Sequence, residues 1–123
     1  MTKILFVDDD SLLIKLAGIV FPKLGYELIT KENGQEAWDY LTSAEGESID
    51  LLFTDHQMPI MNGLKLTRKI RESNDFNGLP IIMASGGTTN RSEALTMGVN
   101  EFIEKPYNVR ILPEILNQYL NLD

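Results

Sequence analysis

The sequence predicts an α/β domain built on a doubly wound, five-stranded parallel sheet in the order 2-1-3-4-5, and three observations carry that expectation. Strand-like apolar runs and helix-like stripes alternate five times along 123 residues, with no linker or low-complexity stretch between them. Alternation of this kind builds a parallel sheet covered by helices on both faces. Three of the runs end on charged side chains, at Asp8-Asp9-Asp10, at Asp55 and at Glu104-Lys105, and the carboxyl edge of such a sheet is where ligands sit. Right-handed crossovers put the switch point between the first and third strands, which brings Asp8, Asp9 and Asp55 to one crevice.

The elements follow in order. Lys3–Val7 is an apolar run that reads as the first strand. A helix begins near Asp10-Ser11, either of which caps it, carries Leu12, Leu13, Leu16, Ile19 and Val20, and is ended by Pro22 and Gly25. A strand over residues 26–30 comes next, then a helix from Asn33-Gly34 through Ala37, Trp38 and Leu41. The continuous apolar run 51–54 reads as a fully buried strand that closes on Asp55. The turn formers Pro59 and Asn62-Gly63 follow, and helical periodicity resumes from Gly63 with Leu66 and Ile70 on one face. Residues 80–84 form the fourth strand, which runs into Ser85-Gly86-Gly87. A short helix near Arg91–Met97 stops at Gly98, and the fifth strand reaches Glu104. The last helix presents Ile111, Leu112, Ile115, Leu116, Tyr119 and Leu120 to the sheet, and Pro113 makes it either start late or kink.

Composition narrows the function. Residues 1–123 suit one domain, expected here with no effector domain attached. With no cysteine there are no disulfides and no thiolate metal sites. No apolar run approaches the roughly 20 residues that span a bilayer. Met1-Thr2-Lys3 leads straight into a strand, leaving no room for a signal peptide, so a cytoplasmic protein without membrane insertion is expected. A net charge of −7 argues against nucleic-acid binding by this chain and suits a protein partner with a basic patch.

The clustered carboxylates carry the chemistry. Each like-charged neighbour raises the cost of ionisation, and a shared proton or a hard cation relieves it. All-oxygen donors completed by water and phosphate are the usual setting of Mg²⁺. The single lysine beside them, Lys105, is a compact charge suited to a phosphate oxygen. His56, the only histidine, is read as a loop residue without a direct chemical role. Trp38 is read as packing, and Met58 and Met61 as side chains that hold the loop to the sheet.

These residues closely resemble the receiver domain of two-component response regulators. The resemblance covers the whole chain and rests on Val7-Asp8-Asp9, on Asp55-x-x-Met58-Pro59-x-Met61-x-Gly63, on Ser85, and on Phe102-x-x-Lys105-Pro106. It implies a flavodoxin-like (βα)₅ fold and a phosphorylation-dependent switch or phosphorelay intermediate. Asp55 would be the phosphoacceptor, served by a sensor histidine kinase or a histidine phosphotransferase. Asp9 would ligate Mg²⁺ (or Mn²⁺) directly and Asp8 through water, with Asp55 and the Gln57 backbone carbonyl as further ligands. Ser85 and Lys105 would each take a phosphoryl oxygen, Ser85 and Phe102 would form the switch pair, and the Lys105–Pro106 bond would be cis. The fourth helix, fifth strand and last helix would face an unknown downstream protein.

Three departures from the family pattern stand out. Asn62 replaces a commoner aspartate. The segment 85–98 is about two residues short, which bears on the fourth helix. Gly86-Gly87 leaves the phosphate open to water, which with Gln57 implies rapid self-catalysed dephosphorylation. The alternatives are a phosphorylation-independent interaction module and a Mg²⁺-dependent small phosphohydrolase. The first usually lacks one of the acidic pair, the acceptor or the lysine, all present here. The second needs residues for a substrate cap, and none are spare. A flavin site is weaker still, since no phosphate-cradling loop follows the first strand.

Overall fold

The chain is described by a computed structural model covering residues 1–87 and 91–120, with the side chain of Glu47 left aside. The strands β1 (Lys3–Val7), β2 (Glu27–Lys31), β3 (Leu51–Asp55), β4 (Ile81–Ser85) and β5 (Glu101–Glu104) form one parallel sheet in the order β2-β1-β3-β4-β5. Helices α1 (Ser11–Lys23), α2 (Gly34–Leu41), α3 (Gly63–Glu72), α4 (Arg91–Met97) and α5 (Leu112–Leu120) cover its two faces. The fold expected from the sequence is the fold observed.

Side-chain alternation divides the core. Ile4, Phe6, Leu51, Phe53, Ile82, Ala84 and Ile103 point toward α1 and α5, where Phe6 stacks on Phe53 and both meet Phe21 edge-on. Leu5, Val7, Leu52, Ile81, Met83 and Phe102 point the other way, against Ala37 and Leu41 of α2, Leu66 and Ile70 of α3, and Ala94 of α4. The central strands β3 and β4 are buried along their whole length, while the edge strand β2 is half-exposed throughout. A parallel strand covered on both faces has to read as a continuous apolar run, which is why β3 and β4 were legible.

Helix ends match the capping chemistry. Asp10, Asn33 and Asn62 each accept a hydrogen bond from a first-turn N–H, of Leu12, Glu36 and Lys65 respectively. Asn62 thereby does the capping work open to an aspartate at its position. At the far ends of α1 and α4 the glycines Gly25 (φ +95) and Gly98 (φ +121) take the left-handed conformation. At each, the N–H of the glycine and that of the next residue (Tyr26 or Val99) bond back to carbonyls of the last turn.

Several boundaries differ from expectation. Strands β2 and β4 each sit one residue further along, so Ser85 ends a strand instead of following it. Pro22 lies inside the last turn of α1, which continues to Lys23 before Gly25 ends it. The apolar stripe assigned to α1 is largely solvent-facing. Leu12, Leu16 and Ile19 are 63%, 43% and 54% exposed, and the helix buries Ala17 and Phe21 instead. Pro113 produces a late start: a 3-10 turn at Val109–Ile111 precedes α5, and Ile111 stays exposed. Two further 3-10 turns, at Ala44–Ser48 and Asn74–Phe76, had no sequence counterpart. Helix α4 forms despite the short 85–98 segment, of which Thr88, Thr89 and Asn90 lie outside the described residues.

At the amino edge of the sheet Arg71 of α3 ties three elements together. Its guanidinium donates to the carbonyls of Gly98, Phe76 and Leu79 and to the Asn100 side chain, at 2.7–3.2 Å. Burial lowers its pKa from the usual arginine value. Arg71→Met keeps the apolar stem but strands these acceptors. It should cost about 2 kcal/mol or more in urea unfolding, with faster amide exchange at Asn100 and Glu101. A loss near zero would mean that water replaces the guanidinium freely.

Candidate functional site

The carboxyl ends of β1, β3, β4 and β5 meet as the topology requires. Asp8 follows β1 and is 2% exposed, while Asp55 ends β3 and is 7% exposed. Carboxylate oxygens of Asp8, Asp9 and Asp55 lie within 4.8 Å of one another, with Asp9 on the open side. Lys105, just past β5, sends its ammonium between the two buried acids, 2.9 Å from Asp8 Oδ2 and 3.1 Å from Asp55 Oδ1. Its backbone N–H bonds to the Ser85 carbonyl at 2.9 Å, which aligns the ends of β4 and β5. The Lys105–Pro106 bond is cis.

Charge decides what this crevice can hold. Three carboxylates against one ammonium leave two negative charges, the charge of one divalent cation. The donors are all oxygen, as a hard cation prefers. Burial, then the Asp8 charge, pushes the Asp55 carboxyl above its ordinary value, against the opposing pull of Lys105 and the His56 backbone N–H. Burial would lower Lys105, but its hydrogen bond to Asp8 and the charges of Asp8 and Asp55 outweigh that and raise it.

Of the other sequence-predicted residues, Ser85 and Phe102 line a small hollow together with Lys105. Ser85 is buried at the end of β4, and its hydroxyl accepts from the Gly87 N–H at 3.4 Å. Gln57 is exposed two residues beyond Asp55, and a Cβ on Gly87 would lie 2.8 Å from its side-chain nitrogen. Phe102 is buried in the core under α2–α4. Met61 is buried against Gly34, whose N–H bonds to the Met61 carbonyl, so the β3–α3 loop is tied to the start of α2.

Three features were missed. Arg91 of α4 lies over the Phe102 ring, with 6.0 Å to the centroid. Tyr107 packs on Phe53, and burial drives its hydroxyl pKa up to about 12; its place after Lys105-Pro106 was the available signal. The left-handed residue of the β3–α3 loop is Ile60 (φ +70), 78% exposed. Asn62-Gly63 looked like the turn, but Asn62 is committed to capping α3.

The response regulator receiver domain family matches residues 4–117. The chain belongs to that family. This receiver is 40% identical over 121 residues to the chemotaxis protein CheY1 of Helicobacter pylori, covering 96% of both chains. It is 39% identical to a chemotaxis protein CheY homolog of Campylobacter jejuni, covering 96% of this chain and 92% of the relative. A receiver domain protein from Clostridium thermocellum superposes with a TM-score of 0.89 at 26% identity, over 98% of this chain and 95% of that one.

The receiver is accordingly a phosphorylation-dependent signalling switch of two-component systems, and neither the phosphorylation-independent module nor the phosphohydrolase is favoured. Receivers are signalling proteins and not classical enzymes, they act with histidine kinases, and they generally bind Mg²⁺ at an acidic pocket. Among the described residues no helix is long and apolar enough to cross a membrane.

The raised Asp55 pKa has a testable sign. A carboxyl raised on folding favours its neutral form, so its stabilisation is complete below the unfolded value, about 3.9, and is lost as pH rises through the folded value. Ionised Asp55 therefore destabilises the metal-free receiver at neutral pH. Asp55→Asn should melt several degrees higher at pH 7 without divalent cations, and the gap should close toward pH 4. Added Mg²⁺ should raise the wild-type melting temperature and do so much less for the variant. A variant less stable than wild type at pH 7 would reverse the sign.

Proposed function

We propose that Asp55 accepts a phosphoryl group from the phosphohistidine of a sensor histidine kinase or histidine phosphotransferase. The observation that carries this reading is the Lys105 ammonium seated between the buried carboxylates of Asp8 and Asp55, with Asp9 completing the oxygen cluster. An Asp55 oxygen attacks phosphorus, the P–N bond breaks, and its electron pair returns to the departing imidazole. Lys105 and the Ser85 hydroxyl each receive a phosphoryl oxygen, and ionised Asp55 is the nucleophile. Asp8, Asp9, Asp55 and the Gln57 carbonyl would hold Mg²⁺ (Mn²⁺ as a substitute), which would neutralise charge on the transferring group. Ser85 and Phe102 then form the switch pair, since Ser85 lines the same crevice and Phe102 precedes Lys105 by three residues on β5.

A protein donor, not a small substrate, suits the rim. Leu13, exposed Leu16 and Val20 of α1 line an apolar groove of about 500 Å³ that opens beside Lys105 and Gly86. We take the receiver to act in the cytoplasm as a single domain whose output is a contact with a downstream protein through α4, β5 and α5.

Acetyl phosphate with Mg²⁺ should add one phosphoryl group by mass, and Asp55→Ala or chelation should abolish it. Lys105→Ala should slow it by about tenfold or more. Turnover of a small phosphate ester would favour the hydrolase instead. The adjacency of Gln57 and Gly87 at an open mouth leads to a second expectation. The aspartyl phosphate should decay by self-catalysed hydrolysis within minutes, and persistence for many hours would sink that part of the reading.

A further inference from the structure

We propose that Thr54 is a positioning residue for the phosphoacceptor, its buried hydroxyl fixing the peptide that carries Asp55. The inference rests on Asp55 being that acceptor. Thr54 stands between Val7 and Met83 on the face of the sheet packed under α3, and is 0% exposed. Its strand partners on that face, Val7 and Met83, are apolar. Valine would fill the same volume without carrying a polar atom into the core, so packing alone does not call for threonine.

The hydroxyl has a specific target. Thr54 Oγ1 donates to the carbonyl of Asp55 at 2.9 Å. On α3, Thr67 is equally buried and donates to the Gly63 carbonyl at 2.8 Å. The loop between β3 and α3 thus has a buried hydroxyl on the carbonyl at each end. Between them the Gly63 N–H bonds to the His56 carbonyl at 2.8 Å. A Cβ at Gly63 would collide with the same Asp55 carbonyl that Thr54 holds. The Asp55 peptide is therefore gripped by Thr54 and walled by Gly63, and its rotation would carry the carboxylate away from Lys105. In-line transfer tolerates such misplacement poorly, losing about 10²-fold for an ångström.

Thr67 supplies the control, because it holds the loop's far end and not Asp55. Thr54→Val, Thr54→Ser and Thr67→Val are compared with wild type for acetyl phosphate phosphorylation at saturating Mg²⁺, urea stability, and the metal-free His56 amide resonance. Thr54→Val should slow phosphorylation by about tenfold or more and shift the His56 resonance, since it frees the Asp55 peptide. Thr54→Ser should return the rate to within about twofold of wild type, because it restores the donor. Thr67→Val should lose similar stability with an unchanged rate. A wild-type rate in Thr54→Val, or equal slowing by Thr67→Val, overturns the proposal and leaves a purely structural threonine. Should Thr54→Val not fold, Thr54→Cys, a weaker donor of similar size, takes its place under the same outcomes. If wild type itself takes no phosphoryl group, the acceptor reading fails and this one with it; a phosphorylated wild type with an unaffected variant overturns only this one.

Discussion

The Lys105 ammonium between Asp8 and Asp55 lets two buried carboxylates share one edge of the sheet, and much of the fold answers to that demand. Asp8 and Lys105 are 97 residues apart in sequence and stand just past the ends of strands that two others separate. Bringing them within 2.9 Å requires the whole doubly wound order, and any shift in the register of β3 or β4 would break the contact. The bridge still leaves the crevice negative. That residual charge suits a divalent cation, which would offset the repulsion that an arriving phosphoryl group would otherwise meet there.

The skeleton of this site was legible in the sequence because it obeys local rules. Buried parallel strands must read as apolar runs, their ends must carry the chemistry, and Asn62 or Asp10 can only cap. What failed was legible only in three dimensions. Leu12, Leu16 and Ile19 satisfy helical periodicity, yet the sheet meets α1 along Ala17 and Phe21, where close approach favours a small residue and an aromatic cluster. Periodicity names the faces of a helix without saying which one the sheet takes. The left-handed turn fell on Ile60 because Asn62 was already engaged, a competition between two uses of one residue. The Arg91–Phe102 contact joins different elements, and no spacing announces it.

The two faces of the sheet differ in kind. Under α1 and α5 three phenylalanines interlock into an aromatic block. Under α2, α3 and α4 the core includes two buried hydroxyls beside the Asp55 loop and a buried aromatic, Phe102, on the strand that leads to Lys105. Polar groups bonded at one geometry make a segment specific in shape. The loop that follows Asp55 is therefore fixed from the side of α3 rather than from the aromatic side.

The Arg71 clamp gives that asymmetry a lever. It fixes the carbonyl of Gly98, where α4 ends, and the side chain of Asn100, where β5 is about to begin. A seven-residue helix is about 10 Å long. Held at its foot, it can tilt only by moving its head, and its head carries Arg91, over Phe102. A displacement of Phe102 would thereby be felt at the end of α4 nearest the crevice, with the fulcrum at the opposite rim of the sheet.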